Sequence, residues 1–166
     1  MNDARPTYFL LLAGVAAWCM LALSPPVFAP GSSGAGLVYA FFARICHQWD
    51  SHSLHLFGVK LAVCERCLAI YLGTLGGVLL APFVRGARAP AERWLWIAAA
   101  APMALDVLLD ASPWYAACVA SRLSTGGFFG VTAGVLLVPS FLSACTALFA
   151  RHLPEPPHQR SYEPTT

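Results

Sequence analysis

Charge is what this sequence has least of. Of its 166 residues only 10 are lysine or arginine and 8 are aspartate or glutamate, together 11%, against about a quarter in an ordinary soluble domain. So little charge cannot cover the wet surface of a soluble globule, and 58% hydrophobic residues exclude a disordered chain. No excess of either sign is present. The formal net charge of +2 is too small to draw a polyanion, which excludes an electrostatically driven nucleic-acid partner. What is abundant is apolar sequence in long runs, with a mean hydropathy of +0.63. The solvent this composition implies is a lipid bilayer.

Four runs reach the length of about 17 to 25 helical residues that a hydrocarbon core requires: residues 7–24, 67–84, 94–111 and 126–150. Each meets a stop. Pro25 and Pro26 close the first, Arg85, Gly86 and Arg88 the second, Ser112 and Pro113 the third, and Arg151 with Pro154 the fourth. A shorter apolar piece, residues 37–45, ends at Arg44 and Cys46 and reads as a helix lying at the membrane surface. Val27, Phe28 and Ala29 would suit signal-peptide cleavage, but the first run exceeds a signal h-region, which favours a retained span. The expected fold is all-α: an integral membrane bundle of four transmembrane helices, with a short interfacial helix in the long outer loop. Residues 1–152 form one transmembrane domain, and residues 153–166, rich in proline and polar side chains, form a disordered cytoplasmic tail.

Arg85, Arg88 and Arg93 crowd the loop between the second and third runs, and Arg5 and Arg151 fall on the same side. By the positive-inside rule that side is cytoplasmic. The chain is expected to be multi-pass in the plasma (inner) membrane, with both termini in the cytoplasm and the loop from Pro25 to Arg66 outside. Gly126, Gly130 and Gly134 recur every four residues on the fourth run, with Gly127 beside them, and Gly73 and Gly77 repeat the spacing on the second. Such stripes let helix backbones approach closely.

Three of the six cysteines and three of the five histidines fall between Cys46 and Cys67. Cys64 and Cys67 form a C-x-x-C at the start of the second run, where free backbone N–H groups and the helix dipole favour a thiolate, and Arg66 adds positive charge. Three readings compete. In the leading one, Cys46, Cys64, Cys67 and one imidazole hold a thiolate-loving metal, zinc or alternatively copper or iron. Neighbouring residues point different ways, so His47 is not fixed as the fourth ligand by adjacency, and His52 and His55 are substitutes. The alternative is a membrane thiol-disulfide oxidoreductase with Cys64 and Cys67 as its catalytic pair, Cys46 and Cys118 as a second pair, and a quinone as electron acceptor. The third is a structural subunit of a membrane complex, or a homo-oligomer, with a disulfide stapling the outer loop.

Asp106 and Asp110 lie one turn apart within the third run, where carboxylates are costly and face partners inside the bundle. Arg122 is the expected partner of Asp106, Tyr71 a candidate hydrogen-bond donor to it, and Asp110 is expected to meet water. Asp106 is also placed to accept from a metal-bound histidine or to take a proton during thiol chemistry.

At these residues the sequence resembles a family of small bacterial and archaeal membrane proteins known only as a domain of unknown function. The resemblance is carried by Cys46, His47 and Gln48, by Ser53, Phe57 and Gly58, and by Cys64, Arg66 and Cys67. Ile70, Tyr71 and Gly73 continue it, and Asp106, Arg122, Thr125 and Gly126 complete it. It implies a metal site of Cys46, His47, Cys64 and Cys67, supported by Gln48, Arg66, Tyr71, Asp106 and Arg122. His52 and His55 match no ligand of the pattern, and Cys19, Cys118 and Cys145 fall outside it. The resemblance implies no activity.

Overall fold

The computed structural model describes residues 4–28, 31–84, 89–113, 115 and 117–152. Arg85, Gly86 and Arg88 and the tail 153–166, on which part of the orientation and the expected disorder rest, lie outside these. Five α-helices follow one another: α1 (Ala4–Leu23), α2 (Ser33–Phe42), α3 (Glu65–Leu80), α4 (Ala89–Asp110) and α5 (Val119–His152). Pro25 and Pro26 end α1 as expected, drawing the chain into a single 3-10 turn, Pro25–Val27. The short surface helix is α2, opened by Ser32, whose hydroxyl accepts from the Ala35 N–H at 3.4 Å.

Two helices contain segments long and apolar enough to cross a membrane, Arg5–Leu23 in α1 and Val119–Leu148 in α5. The runs at 67–84 and 94–111 also fold as helices, but α3 has only 16 residues and α4 carries Glu92, Arg93, Asp106 and Asp110. Residues α5 takes in ahead of the apolar run include Ser121 and Arg122, which turn inward to partners described below. The fold is mostly helical rather than purely so. Strands β1 (His55–Leu56) and β2 (Val59–Lys60) pair antiparallel, with His55 opposite Lys60. Phe57 and Gly58 form the two-residue turn, both with positive φ (53° and 77°), the requirement of a tight turn matched to strand twist. Nothing in the sequence announces these strands, because two residues leave no alternation to detect.

Helix α3 packs chiefly against α5, while α4 packs on α5 and α1 on α3. The two glycine stripes face each other across the main contact. A Cβ on Gly73 would stand 2.5 Å from the Gly127 carbonyl oxygen, and one on Gly126 would stand 2.8 Å from the Arg66 carbonyl oxygen. Cβ atoms on Gly77, Gly130 and Gly134 would fall on the carbonyl oxygens of Val131, Ile70 and Thr74. The backbones therefore touch directly, and this fixes how far α3 can slide along α5.

A separate apolar cluster sits where α2 and the chain that follows it meet α1 and α3. Phe42, Ala62 and Val63 are fully buried in it, with Ala22, Val38, Leu61 and Leu68 around them. Trp18 of α1 meets Phe41, Phe42 and Tyr71 edge-on at 5.6, 5.5 and 5.8 Å between ring centroids, a favourable arrangement for aromatic quadrupoles.

Candidate metal centre

The chain leaves α2 through a turn in which the Cys46 N–H donates to the Phe42 carbonyl at 2.9 Å. Two residues on, Gln48 adopts φ +51°, a left-handed conformation uncommon outside glycine. Its side chain holds that conformation in place: the amide nitrogen donates to the Tyr39 carbonyl at 2.9 Å and to the Ala62 carbonyl at 2.7 Å. Lys60 Nζ donates to the Gln48 carbonyl at 2.9 Å, and the Tyr39 hydroxyl donates to the Lys60 carbonyl. Gln48 thus ties the end of α2 to the strand of chain that runs into α3, and so sets Cys46 beside Cys64.

Cys64 is the N-cap of α3 and Cys67 lies one turn inside it. The Sγ atoms of Cys46, Cys64 and Cys67 all lie within 4.8 Å of one another. The Cys64 N–H donates to Cys46 Sγ at 3.2 Å, and Cys46 is buried while the other two are half-buried. Hydrogen bonds from the Cys64 and Cys67 thiols, with the Cys64 N–H, hold the Cys46 thiol well below a cysteine's ordinary value. Cys64 moves the other way, pushed up first by Cys46 and also by burial. The Cys46 sulfur lies against the N-terminus of α3, where the free backbone N–H groups and the helix dipole favour a thiolate.

The helical period gives the first turn of α3 two faces. Cys64, Cys67 and Tyr71 share one, against the apolar cluster. Glu65 and Arg66 take the other, toward α4 and α5. Arg66 Nη2 meets Asp106 Oδ2 at 2.5 Å and Asp110 Oδ2 at 3.7 Å. Arg122 Nη1 meets Glu65 Oε2 at 3.2 Å, and its Nη2 meets Asp110 Oδ1 at 3.4 Å and His52 Nε2 at 3.2 Å. Asp106 also accepts from Ser121 Oγ and, at 3.4 Å, from the Tyr115 hydroxyl, while Asp110 accepts from the Ala117 N–H at 3.0 Å. Glu65, Asp106 and Arg122 are all buried. The network counts three carboxylates against two guanidinium groups.

Several expectations are corrected by these contacts. Asp106 pairs with Arg66 rather than with Arg122: the glycine contact between α3 and α5 sets Arg122 level with Glu65, and Asp106, on α4, reaches Arg66 instead. The phenol on Asp106 belongs to Tyr115; Tyr71 is on the thiol face. Asp110 is half-buried between both arginines instead of meeting water. Cys46 lies with Cys64 and Cys67, not in a pair with Cys118, which is exposed at the start of α5, and all six cysteines are free thiols. Cys19 donates to the Tyr71 carbonyl at 3.4 Å.

The histidines stand apart from the thiols. His47 is exposed, with its ring against Trp49 at 6.0 Å. His52 faces Arg122, and His55 Nε2 stands 3.6 Å from Asp50 Oδ1. Among the described residues, no fourth His, Cys, Asp or Glu ligand atom joins the three sulfurs within 4.8 Å. Glu65, Ser121 and Tyr115 went unrecognised in the sequence. Glu65 had a signal: it sits inside the C-x-x-C, so the periodicity that puts the thiols on one face puts it on the other.

Residues 46–136 match a family described as "Predicted membrane protein (DUF2085)". The matched segment opens on the first thiol and contains all three sulfurs, both arginines and all three carboxylates of the network. An uncharacterized protein of Methanocaldococcus jannaschii is 35% identical over 107 residues, which cover 63% of this chain and 68% of that protein. No solved structure matches the chain.

Proposed function

Because the chain belongs to the DUF2085 family of predicted membrane proteins, we propose that it is a four-span membrane protein whose outer-side thiols bind a thiolate-loving metal ion. The observation that carries the metal reading is the mutual approach of three cysteine sulfurs within 4.8 Å, drawn from a loop and a helix start and walled by apolar side chains. Cys46, Cys64 and Cys67 would ligate. Gln48 and Lys60 would keep the Cys46 loop in place, and the pairs Arg66–Asp106 and Arg122–Glu65 would keep the first turn of α3 from rotating. Metal-binding residues need such support, since loss of an outer partner costs affinity by about 10- to 100-fold.

The spans in this reading are α1, α3 with its following turn, α4 and α5, in the plasma membrane, with both termini cytoplasmic. Exposed apolar side chains on these helices, Leu10, Trp94 and Leu108 among them, support contact with lipid. Arg5, Arg93 and Arg151 support the orientation. In intact cells an impermeant thiol reagent should label Cys118, and should label a Thr166→Cys variant at its new cysteine only after permeabilisation. Labelling of the new cysteine in intact cells would reverse the orientation.

The metal reading is tested on full-length protein purified anaerobically in detergent, by metal content together with a free-thiol count. Wild-type protein should retain metal, and Cys46→Ser, Cys64→Ser and Cys67→Ser should each lose it. Equal metal in all three variants would refute the assignment. Two thiols missing until a reductant is added, with no metal, would instead make this a disulfide-forming protein.

A further inference from the structure

The three sulfurs have a property beyond their proximity: among the described residues, no further His, Cys, Asp or Glu donor accompanies them. Structural zinc sites close with four protein ligands, and catalytic ones keep an open position for a water, which needs a base nearby to be useful. Neither arrangement is available here among the described residues. His47 is turned out against Trp49, His52 against Arg122 and His55 toward Asp50. The carboxylate nearest in sequence, Glu65, is buried and held by Arg122 at 3.2 Å on the opposite face of α3. Iron-sulfur clusters are likewise built on four ligands.

What remains is a purely thiolate donor set against a wall of Phe42, Leu61, Ala62, Val63 and Leu68. Soft thiolates select soft ions, and monovalent copper, with a filled d shell, is satisfied by two or three of them in a plane. Resting on the metal reading above, we infer that Cys46, Cys64 and Cys67 form a three-coordinate, all-sulfur site for Cu(I) that discriminates against zinc. Half-exposure of Cys64 and Cys67 leaves the ion a way in from the outer surface.

The test uses the full-length chain in detergent, stripped of metal under anaerobic conditions and then equilibrated with Cu(I) and zinc together. Copper should be retained in a single equivalent and zinc left in solution. X-ray absorption at the copper edge should give three sulfur neighbours and no nitrogen or oxygen. Cys46→Ser should lower the sulfur count to two and weaken copper binding by more than about 100-fold, beyond the cost of an outer partner. The wild-type spectrum decides the coordination even if that variant does not fold. Zinc retained in preference, or copper with a nitrogen or oxygen neighbour, would overturn the Cu(I) assignment while leaving a metal site. Retention of neither ion by protein with an intact unfolding transition would overturn the metal reading as well.

Discussion

Asp106→Asn is expected to destabilise the protein by about 3 kcal/mol, the lower end of what breaking a buried ion pair costs. Asparagine keeps the shape of the side chain and can still accept from Ser121 and Tyr115, so the change isolates the charge. It leaves the Arg66 guanidinium inside the bundle with only Asp110, at 3.7 Å, to answer it. That residual contact is what holds the cost to the lower end. Replacing both partners with apolar residues of similar size, Arg66→Met with Asp106→Leu, should recover most of the loss, because a buried pair is worth little relative to good apolar packing. Thermal unfolding of the purified protein in detergent, arranged as a double-mutant cycle, reads both effects. A loss under about 0.5 kcal/mol for Asp106→Asn, the range of ordinary surface changes, would mean that the network is not buried as described.

Gly130→Leu should be worse. A Cβ there falls on the Ile70 carbonyl of α3, and no rotamer of leucine relieves a clash between a Cβ and a backbone. Overpacking ordinarily costs about 1–3 kcal/mol; here α3 and α5 must separate along their whole contact, and the expected loss exceeds about 3 kcal/mol. Gly127→Leu is the control. Nothing lies within 4 Å of a Cβ at Gly127, so this change should be neutral or gain up to about 1 kcal/mol from helix propensity. Equal losses in the two variants would refute the direct backbone contact. Because the same contact sets Arg122 level with Glu65, Gly130→Leu should also disturb the ion-pair network that Arg122 shares with Arg66 and Asp106 through Asp110, and the two mutations should not be additive.

The helices were legible because bilayer-length apolar runs and their proline stops are local signals. The start of α5 was not. Ser121 and Arg122 look like loop residues to any measure of hydropathy, and only their partners on α3 and α4 make them interior. The thiol site was legible as a group from Cys46 and the C-x-x-C, but its membership was not: His47 adjoins Cys46 in sequence and faces away from it in space. The pairing of the charges was the least accessible part. Asp106, Asp110 and Arg122 announce themselves as costly in an apolar setting, yet which arginine meets which carboxylate depends on how α4 and α5 are each set against α3. Glycine contacts fix the α3–α5 part, and their spacing is visible in the sequence while their partners are not.

The position of Arg122 has a consequence for biosynthesis. The ribosome delivers α3 first, then α4, then α5. Arg66 can meet Asp106 as soon as α4 follows α3, so one pair can close while the chain is still growing. Glu65 has no cation until Arg122 emerges, and the glycine stripe of α3 has no backbone to rest on until residues 126–134 arrive. The nascent protein therefore carries an unanswered carboxylate, one residue from Cys64, until the last helix enters. Completion of α5 is the step that closes the charge network, and a chain that stops short of it leaves the Glu65 carboxylate at the start of α3 without its arginine.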